Sequence, residues 1–169
     1  MGKIYEKADS SAVSLMEKVA KEHHKSLTEV EARVGLVVVY QEDENSTKPA
    51  ISKNGAKCAA SVKVVNLRDR LTKGYDAEIL LDGECWEGCT NERKIAILDH
   101  ELEHLVPVFD NKTGKPKLDS LERPKLRTRN DDIQFWGFSK IAARHGKNSQ
   151  EHRCFMEMLK SHGKILAQK

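Results

Sequence analysis

The sequence of 169 residues has no long apolar run and few cysteines. No stretch of 18 apolar residues occurs, so no membrane-spanning helix is expected. Residues 1–25 are charged and amphipathic, which does not fit a secretory signal. The four cysteines are Cys58, Cys85, Cys89 and Cys154, and no second close pair accompanies Cys85 and Cys89. This spacing argues against a four-cysteine zinc finger and favours reduced thiols in a cytoplasmic protein.

The composition also contains no strong excess of charge, no internal repeat and no low-complexity segment. The formal net charge is only +3, which does not by itself indicate a nucleic-acid partner. Hydrophobic residues make up 38% of the chain and charged residues 33%. A chain of this length can bury a real core, and we expect a single domain over residues 1–169.

What the sequence does contain is the pattern H-E-x-x-H at His100–His104. Residues four apart lie on one face of an α-helix, so His100 and His104 can direct their rings at a single metal ion. Glu101 lies about 100° around the helix axis from His100. Its carboxylate would therefore stand beside the metal, where a general base for bound water is needed. The pattern is typical of zinc-dependent hydrolases.

The neighbouring residues predict the helix that this motif requires. Apolar side chains recur at helical spacing on the side opposite the histidines. They are Ile95, Leu98, Leu102 and Leu105. The spacing predicts a helix over 91–105, capped by Thr90 or Asn91, with its leucines in the core and its histidines facing a cleft.

The order of the remaining segments predicts an α+β fold, a mixed sheet packed against helices. Periodicity and turn residues predict helices over 10–24, 133–145 and from about 148 to 167. They predict strands over 34–40, 57–67 and 76–82, a turn over 68–74, and a hairpin around 110–114. Trp86 and Trp136 are expected in the core rather than at a substrate surface. The other five histidines are expected to be structural or exposed, with His23 and His24 at a helix end.

A basic segment follows the predicted hairpin. In an extended conformation its four cations line one face. These residues are Arg123, Lys125, Arg127 and Arg129. Such a face can contact phosphates or an acidic substrate, but it is more commonly a solvated edge strand whose charges oppose aggregation.

The segments together resemble the putative phage metallopeptidase family, a zincin-like group similar in layout to the SprT-like proteases. The resemblance covers roughly 34–146. It is carried by residues 76–79, Trp86, 97–105, 127–133 and 145–146. It implies a mixed sheet with the H-E-x-x-H helix lining an active-site cleft beside an edge strand. It also implies a metal-dependent peptidase.

One pair departs from the family's pattern. The resemblance implies a His-Asp pair before the later helix, with the His as third metal ligand, but Asp131 and Asp132 stand there. A carboxylate can replace imidazole on zinc, which makes Asp131 the favoured third ligand and Asp132 the next candidate. Either could instead cap the following helix. Asp110, His145, His152 or no third protein ligand remain open.

The expected function is therefore peptide hydrolysis at Zn²⁺ held by His100, His104 and Asp131, with Glu101 as general base. The strand over 76–82 is expected to pair with an extended peptide substrate. The alternative is a nucleic-acid-associated binding protein. In such a protein the basic segment would bind the nucleic acid, and the metal site would be structural or vestigial.

Overall fold

The structure is a computed structural model. It describes residues 2–43, 48–53, 56–130, 144–148, 155–157 and 159–160. The chain divides into two compact units, Met1–Arg129 and Asn130–Lys169. In the second unit the described residues include a 3₁₀ turn at Gly146–Asn148. The predicted helices over 133–145 and 148–167, like Asp131, Asp132 and Trp136, lie wholly or largely outside the described residues.

The first unit is a mixed α+β structure, which confirms the predicted fold class. Its strands are β1 Lys3–Lys7, β2 Val34–Gln41, β3 Ser52–Lys53, β4 Ala56–Lys57, β5 Ala60–Val64, β6 Ala77–Asp82, β7 Leu105–Pro107 and β8 Leu126–Thr128. Its helices are α1 Ser10–His23, α2 Lys25–Glu29, α3 Leu67–Lys73, α4 Gly83–Glu87 and α5 Asn91–Glu103. In the described part of the chain, no helix is long and apolar enough to cross a membrane.

A four-stranded sheet in the order β1-β2-β6-β5 forms the centre of this unit. β2 and β6 are parallel, whereas β1 and β5 pair antiparallel at the two ends. The β-branched run of β2 and the apolar run of β6 are buried between neighbours, as is usual for central strands. Two short ribbons, β3-β4 and β7-β8, accompany this sheet.

The main core lies between one face of the sheet and helices α1 and α5. Met16 of α1, Ile79 of β6 and Leu98 of α5 are buried together there, with Trp86 of α4. Trp86 is thus a core residue, as predicted. A smaller apolar cluster contains Val39, Ala50 and Ile51. It lies on the opposite face of the sheet, because successive side chains of a strand point to opposite faces.

Three sequence predictions about individual elements are wrong. Residues 68–74 form most of a helix rather than a turn, because Asn66 caps α3 by accepting the Asp69 N–H and Gly74 ends it at a φ of +73°. The strand predicted over 57–67 is limited to β5, since Leu67 already begins α3. The strand over 76–82 cannot receive a substrate strand, because β6 is paired on both edges by β2 and β5.

The predicted hairpin forms its turn, but the main strand pairing in this region involves a later segment. Its turn is present: the Asp110 carboxylate accepts the N–H groups of Lys112 and Thr113, and Phe109 bridges Pro116. The continuous ladder, however, joins β7 to the basic strand β8, with Val106 opposite Arg127. This pairing brings the basic segment to the end of α5.

Candidate metal centre

Helix α5 carries the motif and is built as its sequence predicts. Thr90 is the N-cap and its hydroxyl accepts the Arg93 N–H. Leu98 and Leu102 are 0% and 1% exposed, so the apolar side of the helix is anchored in the core. The helix ends at Glu103, and His104 is its C-cap with a backbone still in the right-handed helical region. The helix therefore presents His100 and His104 on the side away from the core.

The two motif histidines converge on one point. Their Nε2 atoms are 3.2 Å apart, and the rings meet edge to face with centroids 4.9 Å apart. Two nitrogens bound at 2.0–2.1 Å to one tetrahedral ion would be about 3.3–3.4 Å apart. The pair thus has the separation that two ligands of a single zinc-sized ion require.

The orientation of the His104 ring is set by the chain itself. His104 Nδ1 lies 2.7 Å from the carbonyl oxygen of Arg129, which can only accept a hydrogen bond, so Nδ1 carries the proton. In the neutral ring Nε2 then presents its lone pair towards His100. When one ring nitrogen of a histidine binds a metal, a hydrogen bond from the other nitrogen usually holds the ring in place and fixes its tautomer.

Arg129 also holds the end of the motif helix. Its backbone N–H donates to the His104 carbonyl at 2.8 Å, and its Nε donates to the Glu103 carbonyl at 2.9 Å. Its Nη2 forms an ion pair with the Glu103 carboxylate. The carbonyls of Glu103 and His104 at the end of α5 are thereby satisfied by one residue that directly follows β8.

Glu101 lies beside the two histidines in sequence and is 7% exposed. A carboxylate with so little contact with water is a costly feature unless other groups compensate for it. Catalytic acids and bases often occupy such buried positions, where burial and neighbouring groups set their proton affinity. Burial also limits the number of positions that its side chain can take.

His24 lies at a helix end, as predicted, and it is structural rather than exposed. It is the C-cap of α1 and is 6% exposed. Its Nε2 lies 2.7 Å from Asp99 Oδ1, and its Nδ1 lies 3.4 Å from Glu103 Oε2. His24 thus links α1 to the two acidic residues that immediately precede His100 and His104. No local pattern relates residues 75 positions apart, so the sequence offered no signal for this contact.

The basic segment includes the short strand β8, and Pro124 and Leu126, which lie between its cations, are buried. Two of its four cations form ion pairs within the first unit. Arg123 pairs with the buried carboxylate of Asp76, with 2.6 Å between Nη2 and Oδ2, and Arg129 binds the end of α5. Lys125 and Arg127 are exposed. Half of the proposed phosphate-contacting face therefore has an internal structural role.

Among the described residues, no group of three or more His, Cys, Asp or Glu side chains is placed to hold a metal ion. Asp131 and Asp132, the predicted third ligands, lie outside that part of the chain. Asp110 is occupied by its own turn, where backbone N–H groups of Thr113 and Lys112 lower the pKa of its carboxyl. His145 is exposed in the second unit.

The motif helix α5 lies within a segment that matches a known protein family. The sequence profile described as "Putative phage metallopeptidase" matches residues 4–162. The chain belongs to this family. The match covers α5 with its motif and extends across both compact units. No curated protein and no solved structure matched the chain in two further comparisons.

Membership of the phage metallopeptidase family assigns the chain to a broad class of enzyme. Metallopeptidases are hydrolases that act on peptides or proteins with the help of a metal ion. The sequence-based predictions of a metal-dependent peptidase and of a peptide or protein substrate agree with this assignment at the level of the class.

Proposed function

We propose that this protein is a zinc-dependent peptidase whose metal is held by His100 and His104. The observation that carries the proposal is the 3.2 Å approach of the two Nε2 atoms, with the His104 tautomer fixed by the Arg129 carbonyl. Imidazole is a preferred ligand of zinc, and catalytic zinc sites usually have three protein ligands and one open position. The family match over 4–162 further supports one peptidase domain spanning 1–169.

The third protein ligand in this proposal is Asp131, with Asp132 as the next candidate. Both follow within four residues of Thr128, the end of β8, and Thr128 pairs with Leu105, next to His104. Asp131 is two residues beyond Arg129, so at 3.3–3.6 Å per residue its Cα can lie at most about 7 Å from the Arg129 Cα. This reach is consistent with a ligand to the same ion.

Zinc bound there would polarise the scissile carbonyl and lower the pKa of its water to about 7. Glu101 would serve as the base that takes a proton from the attacking water and delivers it to the nitrogen of the leaving amine. Its burial keeps the carboxylate near one position between the two transfers. Arg129 and the leucine side of α5 hold the histidines in place while these transfers occur.

We further propose that an extended substrate pairs with β5, the end strand against which α5 packs. Backbone hydrogen bonds from Val65 N–H to Asp76 O and from Asp82 N–H to Ala59 O lie just beyond the two ends of the β5–β6 ladder. Hydrogen-bonded pairs alternate along an antiparallel ladder, so Ser61 and Lys63 direct their backbone groups to β6. The backbone groups of Ala60, Val62 and Val64 point the opposite way, towards any added strand.

The decisive test is Glu101→Gln, measured as hydrolysis of an unfolded protein and as bound zinc. We expect zinc to remain and hydrolysis to fall by roughly 10²–10⁴-fold, the usual loss when an acid–base group is removed. Glu92→Gln, an exposed change in the first turn of the same helix, is the matched control and should leave both quantities unchanged.

Unchanged hydrolysis in Glu101→Gln would reject Glu101 as the base, and loss of zinc would make it a ligand. If the wild-type protein cleaves nothing with zinc bound, the peptidase proposal fails. Salt-sensitive binding to DNA without cleavage would then favour the nucleic-acid alternative.

A further inference from the structure

Two thiols meet at the start of the motif helix, away from the histidine pair. The Sγ atoms of Cys85 and Cys89 are 3.9 Å apart, and both side chains are half-buried. Cys89 directly precedes Thr90, the N-cap of α5. His100 lies 11 residues beyond Cys89, which at 1.5 Å per residue is about 16 Å along a helix axis. The thiols and the histidines therefore cannot share one ion.

We propose that Cys85 and Cys89 form a second metal site, specific for a soft, thiolate-binding ion such as Zn²⁺, Cd²⁺ or Cu⁺. Two sulfurs bound at 2.3 Å to one tetrahedral ion are about 3.8 Å apart, which is close to the separation found here. Thiolates select soft ions over Mg²⁺ and Ca²⁺. In the described part of the chain no third His, Cys, Asp or Glu completes the set, so water or a small thiol fills the other positions.

Both cysteines are free thiols on a hydrogen-bonded backbone. Asp82, the N-cap of α4, accepts the Cys85 N–H through its carboxylate, and the Cys89 N–H donates to the Trp86 carbonyl just beyond the helix. This backbone holds the two sulfurs at the separation of two ligands of one ion.

The surroundings favour the protonated form of the Cys85 thiol. Burial raises the pKa of the Cys85 thiol, and its contact with the Cys89 thiol and the charge of Asp82 raise it further, against an opposing effect of Arg93. Binding of a metal ion releases these protons, so the affinity should increase with pH. The site needs no catalytic activity and does not depend on the proposed peptidase function.

The test is a titration of the full chain with Cd²⁺ in a phosphine reductant, followed by the ultraviolet charge-transfer band between thiolate and cadmium. Histidine and carboxylate ligands produce no such band, so the signal reports sulfur alone. We expect the band to saturate at one equivalent. Cys85→Ser with Cys89→Ser should abolish it, and either single change should weaken binding by more than about tenfold, because one of two protein ligands is lost.

Cys58→Ser and Cys154→Ser are the controls, and each should retain the band. Circular dichroism of every variant shows whether the fold is intact, and Ser is close in size to Cys. Absence of the band in the wild-type protein would overturn the proposal. Its survival in the double variant, or its loss in Cys58→Ser, would also overturn it.

Discussion

Arg129 illustrates how one side chain can be assigned different roles by sequence and by structure. In the sequence it is the last of four alternating cations, and such a pattern favours a charged surface. In the structure its guanidinium binds the carbonyl and carboxylate of Glu103, and its own carbonyl orients His104. It is therefore a positioning residue for the candidate metal centre.

The first prediction concerns this positioning role. Arg129→Ala keeps the backbone carbonyl that orients His104 but removes the guanidinium that holds the Glu103 end of α5. It should therefore weaken zinc binding by at most about tenfold, the low end of the loss seen when a group that supports metal ligands is removed. Arg129→Lys should recover only part of the loss, because an ammonium cannot bind a carbonyl and a carboxylate with the same planar geometry. The measurement is the zinc dissociation constant, obtained by competition with a chelator.

Arg127→Ala is the matched control, since Arg127 lies in β8, two residues before Arg129, and is exposed. Equal zinc affinities for the two alanine variants would refute the positioning role. If Arg127→Ala alone reduced binding to DNA at low salt, the exposed part of the basic segment would have a separate function.

At the scale of elements, the parts that the sequence predicted well are those with long, regular patterns. The stripe of leucines, the cap at Thr90 and the motif itself predicted α5 within two residues of its end. The apolar run over 34–40, rich in valine, predicted β2 as a central strand. In these segments the local pattern and the final burial agree, so a single sequence is enough.

The parts that were missed depend on contacts between distant residues. β1 is exposed at all five residues and has no apolar face to detect, because it is defined by its pairing with β2. The partner of β7 is β8, about 20 residues away, rather than the nearer segment after the turn. α3 is short and highly charged, and its exposed Leu67 and Leu71 gave no clear stripe. Which strands pair in these cases is decided by tertiary packing rather than by the local sequence.

The second prediction tests the substrate edge that these pairings create. Val62→Pro removes an N–H that points away from β6, and proline is tolerated at such edge positions. The fold should persist, while kcat/KM for an unfolded protein substrate should fall roughly two- to tenfold, the value of one hydrogen bond. Val62→Ala, which keeps the N–H, controls for the lost side chain.

Ser61→Pro is the opposite control, because the Ser61 N–H points to β6 and its removal should destabilise the sheet. If Val62→Pro folds and cleaves substrate as well as Val62→Ala does, β5 does not pair with the substrate. The zinc site would be unaffected by that outcome.

At the scale of the whole molecule, the proposed metal links regions that are far apart in sequence. His100 and His104 belong to the motif at the end of α5, and the proposed third ligand is one of residues 131–132. An ion bound only by the folded chain stabilises it by RT ln(1 + [L]/Kd), or about 2.7 kcal/mol at 100 times Kd. For a chain of this size, each kcal/mol raises Tm by about 2–4 °C.

The last prediction follows from this linkage. In a chain carrying Cys85→Ser and Cys89→Ser, which removes the second proposed site, zinc at 100 times Kd should raise Tm by roughly 5–11 °C. Glu101→Gln should retain the full rise because it is not a ligand. His100→Ala with His104→Ala should abolish it, and a rise that survives this double change would place the zinc elsewhere.

The same measurement identifies the third ligand. Asp131→Ala should lower the rise at a fixed zinc concentration, because a ligand is lost and Kd increases, whereas Asp132→Ala should leave it unchanged. Asp131→His should keep or increase it, since imidazole suits zinc at least as well as carboxylate. The opposite result for the two alanine variants would make Asp132 the ligand. If neither affects the rise, the third ligand must be sought at Asp110, His145 and His152.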